Sequence, residues 1–349
     1  MATVSLHSIK RENTLAVLEA IARKKHTTKL ELSEETGLSL MTIGKIISIL
    51  GANGIITHGK NVAQKAGRRA EVFSIRHDWL IPMFEISSHV FKFYITDLEG
   101  QVLDKVVCRV SNEPQYIANE FVVFMKKTLN LLQSGYKNKK ALGIGVSVAG
   151  IYDKENDCIR SSMMPELSSI KLMHNINKLF KNKNIIIENA NRLCAAGIIE
   201  GLREYKSKTI TCLTVSDTIE CTTCDKGTYI TGNKNLAGRL GDIPYAQGVT
   251  YANFIRNAVD SSFVEDPALD LLKIAAVAYS PDIIYLCSDK FSFVPAAIKR
   301  IESSLHSSMI WPDTPPELKY VHSTELESLS AIISRVIEKW LDEILTSHA

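Results

Sequence analysis

The stretch "TKLELSEETGLSLMTIGKIISIL", Thr28 to Leu50, constrains this chain more than any other. Thr28 followed three residues later by Glu31 has the spacing of a capping box, in which the hydroxyl and the carboxylate each satisfy a free backbone N–H at a helix start. Gly37 supplies the left-handed turn that ends the short helix. Ser39 then caps a further helix from Leu40 to about Ala52, whose Ile43, Ile46, Ile47 and Leu50 share one face. Upstream, Leu15, Leu18 and Ile21 line one face of a helix from about Ser8 to Lys24. A short helix, a glycine turn and a longer helix over a small apolar core make a helix-turn-helix.

Beyond it, "GIITHG" and "AEVFSI" read as strands around "KNVAQKAGR", a β-hairpin wing with a basic, glycine-bounded loop. Charge follows the same boundary. Residues 1–76 hold twelve Lys and Arg against six Glu, a surplus of +6, so with +3 for the whole chain the remainder carries −3. A charge run alone is most often solvated surface, but here the turn, the cap, the wing and the asymmetry agree on an anionic partner, double-stranded DNA. In such a module the exposed face of the third helix reaches base edges and the wing reaches phosphates or the minor groove. The candidates are Ser39, Leu40, Thr42 and Lys45 for the first role, and Lys65, Arg68 and Arg69 for the second. Met41 suits either a base contact or core packing. Gly44, at a cost of about 1 kcal/mol inside a helix, suits either close approach to DNA or packing against another helix.

At 349 residues the chain has room for two or three units. Its longest apolar run, "ALGIGVSVAGIY", falls well short of the roughly 20 residues of a membrane span. The start "MATVSLHSIKRENT" has no apolar signal core, so a cytoplasmic protein is expected. Seven scattered cysteines argue for reduced thiols, and the lone Cys221-x-x-Cys224 reads as strand residues rather than a zinc or redox site. From Ile81 onward strands and helices mix in an α/β pattern. "FKFYITDLEGQVLDKVV" reads as two strands joined at Leu98-Glu99-Gly100, "IIIENANRLCAAG" as a strand turning into a helix, and "ESLSAIISRVIEKWLDEIL" as a long terminal helix. No period of 20 to 50 residues repeats.

The ordered set "ELSEETGLSLMTIGKIISIL", "GRRAEVFSI", "FYITDLEGQVL", "GIGVSVAGIYD", "IENANRLCAAG" and "NLAGRLGDI" resembles the ROK family of repressors and sugar kinases over almost the whole chain. The resemblance implies an α/β chain: an N-terminal winged helix-turn-helix followed by a two-lobed, actin-like (ribonuclease H-like) sugar-kinase fold. The divisions expected are 1–77 for the DNA-binding domain, 78–190 for lobe 1, 191–322 for lobe 2 and 323–349 for a terminal helix packing on lobe 1.

Departures from the family pattern separate regulator from kinase. Where the kinases have an Asp-x-Gly-Gly-Thr turn, this chain has Glu85, Ile86, Ser87, Ser88 and His89; "SDTIECT", Ser216 to Thr222, lacks the second loop's glycines; the adenosine-side glycine pair is Cys287 and Ser288. "ENAN" is similar to the family's Asn-Asp-Ala-Asn, which puts Asn189 where the kinases hold their base. An amide cannot take a hydroxyl proton, a service typically worth 10²–10⁴-fold in rate. As a helix cap, the same Asn189 is equally at home.

The family's Glu-x-Gly-His sugar motif matches "AGRLGDI", which puts Arg239 and Asp242 in the acidic and imidazole places, and no cysteine follows for the family's zinc. Neither a metal nor a cofactor is therefore expected. Guanidinium in place of carboxylate turns an acceptor of hydroxyls into a fork of donors for carboxylate or phosphate. Glu188, Asn189, Arg192, Arg239 and Asp242 are the candidate effector residues, for a sugar, sugar phosphate or sugar acid. The competing possibility is that Arg239 pairs with Asp242 or Glu188 and closes the site. What the resemblance implies is a DNA-binding repressor, homodimeric or homotetrameric, with a catalytically inactive kinase-like domain. The alternatives are an active sugar kinase with a DNA-binding head and a ligand-independent scaffold on DNA.

Overall fold

The computed structural model describes residues 6–347 apart from 64–68, 88, 112, 162–164, 181–183, 217, 247, 312–313 and 324; the side chains of 60–63, 69, 114, 179 and 347 lie outside the description. The head is α1 (Leu6–Lys24), β1 (Thr27–Thr28), α2 (Lys29–Thr36), α3 (Leu40–Ala52), β2 (Ile56–Ala63) and β3 (Arg69–Ile75). Its start and stop signals act as the residues dictate. Thr28 accepts from Glu31 N while Glu31 accepts from Thr28 N at 2.7 Å, and Gly37 takes φ 71° to close α2. β1, too short to read from sequence, pairs with β3, which also pairs with β2 to form the wing. Leu18, Ile21, Leu32, Ile43, Ile47, Leu50 and Phe73 fill the core beneath.

Lobe 1 begins four residues after the wing, with β4 (Trp79–Ile86), β5 (Val90–Thr96), β6 (Val102–Arg109), α4 (Pro114–Gly135), β7 (Lys140–Ala141), β8 (Ile144–Val148), β9 (Ile151–Asp153), β10 (Cys158–Arg160), α5 (Leu172–Leu179) and β11 (Ile185–Asn189). The sheet runs β11-β8-β4-β5-β6, parallel through its first three members and antiparallel through β4, β5 and β6. α6 (Ala190–Glu200) then leads into lobe 2: β12 (Thr209–Val215), β13 (Ile219–Asp225), β14 (Thr228–Tyr229), β15 (Pro244–Ala246), β16 (Val249–Thr250), α7 (Tyr251–Arg256), α8 (Glu265–Tyr279), β17 (Ile283–Ser288), α9 (Pro295–Ser307) and β18 (Glu317–His322). Its sheet, β14-β13-β12-β17-β18, has the same plan, an antiparallel meander followed by two strands parallel to the first. The two lobes thus repeat one topology that the sequence does not betray, because each lobe meets the plan with different apolar residues.

α10 (Glu325–Ser347) ties the three parts together. Ile332 and Val336 press on β8 of lobe 1, and Leu329, Ile333 and Ile337 join the cluster that also holds Val17, Leu18 and Ile21 of α1. Asp342 accepts from Arg11 at 3.0 Å. Across from α1 the helix meets α6 so closely that a Cβ at Gly197 would lie 2.1 Å from the Glu327 carbonyl oxygen; only glycine fits there. The head is held again by Trp79, whose ring N–H donates to Gly54 O at 2.7 Å. The terminal helix therefore lies against β8 and α6 on one side and seats the head on the other.

Candidate functional site

Two surfaces carry chemistry, one on the head and one between the lobes. On the head, Ser39 is the N-cap of α3: its hydroxyl accepts from Thr42 N at 3.2 Å and lies 2.9 Å from the Thr42 hydroxyl. Those two candidates position the helix as well as facing outward. Leu40 and Lys45 are exposed, and Lys45 has no ion pair among the described residues. Met41, 74% exposed, belongs to this outward face and not to the core. Nothing lies within 4 Å of where a Gly44 Cβ would stand, so contact within the chain does not explain that glycine. Arg23 and Lys24 are neutralised by Glu35, and Lys29 by Glu71, whereas Lys45 on the third helix, like Lys10 and Lys25, has no ion pair among the described residues. Lys65 and Arg68 lie outside the described residues; Arg69 is in β3, its side chain outside the description.

In the body, β11 delivers Glu188 and Asn189 to the start of α6. Asn189 caps α6: its Oδ1 accepts from Arg192 N at 2.9 Å, and its Nδ2 donates to Gly150 O at 3.0 Å and Glu220 Oε1 at 2.8 Å. Burial pushes the Glu220 carboxyl up, against the opposing pull of Arg192 and this amide. Arg192 reaches Glu188 at 3.4 Å and the Asn235 carbonyl at 2.9 Å, and Arg239 forms an ion pair with Asp242. Glu188, Asn189, Arg192 and Arg239 line one cleft of about 210 Å³; Asp242 lines a neighbouring hollow shared with Arg239 and Glu220. The sequence candidates are brought together, and their polar groups engage one another. Glu220 and Gly150 complete the set; both lie in stretches already singled out, but which atoms face Asn189 depends on the fold.

The larger cleft, about 660 Å³, lies between β4, β8, the β12–β13 turn and the start of α10. Glu85 stands in it, but not free. Lys92 Nζ lies 2.9 Å from Glu85 and 2.6 Å from Glu325, Lys105 Nζ lies 2.6 Å from the other Glu325 oxygen, and the Tyr94 hydroxyl donates to Glu85 at 3.3 Å. Burial alone would raise the Glu325 carboxyl; hydrogen bonds from Lys105 and Lys92 and the Lys92 charge outweigh it and hold the group at about 2. Asn191 donates to Thr218 Oγ1 at 2.7 Å and accepts from Ser216 at 3.2 Å, so the glycine-free turn is fixed by side chains. Cys287 and Ser288 are buried, the Ser288 hydroxyl donating to Val215 O and accepting from Phe291 N. Cys194 lines this cleft, but burial pushes its thiol up to about 12, which leaves little thiolate for chemistry. Cys221 and Cys224 are buried residues of β13 with free thiols.

Residues 10–57 match the model of a winged helix-turn-helix DNA-binding family. A search of curated proteins finds no match. Among solved structures, a ROK family transcriptional regulator, a homolog of the E. coli MLC protein, is similar over 97% of this chain and 98% of its own at 15% identity and a TM-score of 0.70. A ROK family protein from Streptococcus pneumoniae, solved with sucrose, covers 74% of this chain and 98% of its own at 14% identity and 0.54. A ROK family glucokinase from Streptomyces griseus, solved with glucose and AMPPNP, covers 74% of this chain and 98% of its own at 11% identity and 0.50. The chain shares the fold of the regulator over nearly its whole length, a winged head followed by a sugar-kinase-like body, and that of the other two over about three quarters of it. No described helix is long and apolar enough to cross a membrane.

Proposed function

We propose that this chain is a DNA-binding transcriptional regulator of the ROK type, a repressor, whose kinase-like body has given up phosphoryl transfer and serves to sense a small molecule and to assemble the protein as a homodimer or homotetramer. The carrying observation is the pairing of opposites: α3 offers an outward face with an unpaired Lys45, while the amide at the base position, Asn189, is spent on Glu220, Gly150 and its own helix. Without a base, with Lys92 filling the space beside Glu85, and with side chains in place of the phosphate glycines, the body has no means of activating a sugar hydroxyl.

Operator DNA selected from a random-sequence pool is expected to bind through Ser39, Leu40, Met41, Thr42 and Lys45, with Lys65, Arg68 and Arg69 on the backbone. Fluorescence anisotropy on that DNA should show Lys45→Ala weakening binding about tenfold and lowering the salt dependence by about one phosphate contact. No enrichment of any sequence, or turnover of ATP with a sugar, would sink the proposal.

For the effector, Glu188, Asn189, Arg192, Arg239 and Asp242 form the sugar-side contact, and an anionic sugar binds there by displacing Asp242 from Arg239. Glucose 6-phosphate and gluconate are suitable probes, and Arg239→Ala should abolish any heat they release on titration. α10 gives a route to the head: it packs on α6, which carries Arg192, and Asp342 near its far end holds Arg11 of α1. An effector acts through it only by binding two lobe arrangements with different affinity.

A further inference from the structure

The side chains of α3 limit which bases it can read. Its sequence, LMTIGKIISILGA, holds no Arg, Asn, Gln, Asp or Glu. Those are the residues that pair with base edges in the major groove: Arg with guanine, Asn and Gln with adenine, Asp and Glu with the cytosine amino group. The hydroxyls of the face are already engaged. Ser39 accepts from Thr42 N and lies 2.9 Å from the Thr42 hydroxyl, and Ser48 donates to Gly44 O at 2.9 Å.

What remains is apolar, with one charge. Ile43, Ile46, Ile47 and Leu50 turn to the core, so Leu40, Met41, Gly44 and Lys45, three and four residues apart, share the opposite face. Leu40 is 53% exposed and Met41 74%, and they are the first two residues of α3. In a helix-turn-helix the N-terminal residues of the second helix are the ones that meet base edges. One turn further on, a Cβ at Gly44 would meet nothing within 4 Å, so the bare backbone leaves room for the groove wall beside the two side chains. An apolar side chain in the major groove has one matching feature there, the 5-methyl group of thymine; the edges of adenine, guanine and cytosine offer hydrogen-bonding groups instead.

We propose that Leu40 and Met41 make this chain a reader of thymine, packing on 5-methyl groups in the major groove while Lys45 supplies the charged contact of the same face. The inference rests on the regulator reading above and names the base that reading leaves open. For the test, the DNA enriched from the random pool is synthesised a second time with deoxyuridine for thymidine, which keeps base pairing and hydrogen-bonding groups and removes only the methyls. Fluorescence anisotropy with the full chain should show weaker binding to the uracil DNA, by roughly fourfold for each thymine contacted, the size of one buried methyl group. The ratio should be the same at low and at raised salt, because no phosphate is involved. Leu40→Ser combined with Met41→Ser should bring the ratio close to one, whereas Lys45→Ala should weaken both DNAs alike and leave it unchanged. If the double variant does not fold, the two DNAs with the parent chain decide the matter. Equal affinity of the parent chain for both DNAs, or a ratio that persists in the folded double variant, overturns the inference and leaves the regulator reading standing. A pool from which no sequence is enriched removes both.

Discussion

The head and the body treat their polar residues in opposite ways. In the head, polar groups that shape the fold act over three or four residues, as Thr28 with Glu31 and Ser39 with Thr42 do, and Leu40, Met41 and Lys45 of α3 are left open to solvent. In the body the groups that matter come from far apart in sequence: Asn189 with Gly150 and Glu220, and Lys92 with Glu325. A local cap can be changed at local cost. A contact between remote elements carries the arrangement of whole lobes, and its loss should be felt across the molecule.

The sharpest test of that contrast is Gly197→Ala. The new methyl would collide with the Glu327 carbonyl, forcing α6 and α10 apart, at a cost of roughly 3 kcal/mol. Urea unfolding would read this as a lower midpoint; an unchanged midpoint would mean that the two helices do not meet as described. Next comes Glu325→Gln, which removes a charge held by two lysines. With the carboxylate more than a third exposed, solvent screening keeps the loss to about 1.5 kcal/mol. Because this carboxyl is held below its ordinary value of 4.5, its contribution is fully present above that pH and disappears as pH falls toward about 2. The variant should therefore match the parent at low pH and fall behind it near neutrality; a constant gap at every pH would assign the effect to packing.

On the head, Thr28→Ala should cost about 1 kcal/mol, a typical loss for an N-cap. Hydrogen exchange should place the change in α2 and α3 and leave lobe 2 untouched. Protection lost throughout would erase the distinction between local and remote construction. The smallest effect is expected from Asn189→Asp, which restores a carboxylate at the base position. On the reading proposed above it should yield no ATP-dependent sugar phosphorylation, because Glu220 faces the same spot and Lys92 remains paired with Glu85. Measurable turnover would show that the base was all the body lacked.

The head could be read from sequence because capping boxes, glycine turns and helical spacing are local, and the structure realises each of them at the residues that signal it. β1 escaped notice because two residues carry no periodicity; only pairing with β3 makes them a strand. In the body, strands such as β5 and β6 were legible from alternation around Leu98-Glu99-Gly100. α9 opens on Pro295, a helix-start signal that went unused, whereas β18 is fixed by pairing with β17.

For the sites, the resemblance to the ROK family implied much from residue types: an amide at the family's base position, side chains at its phosphate glycines, and a guanidinium at its carboxylate. These are statements about what an atom can accept or donate, and they hold wherever the chain places it. Whether Arg239 faces a ligand or Asp242, and whether Met41 is core or surface, were decided only by tertiary structure. Each depends on which remote groups come within about 3 Å, the range over which a hydrogen bond forms, and sequence separation does not encode that distance.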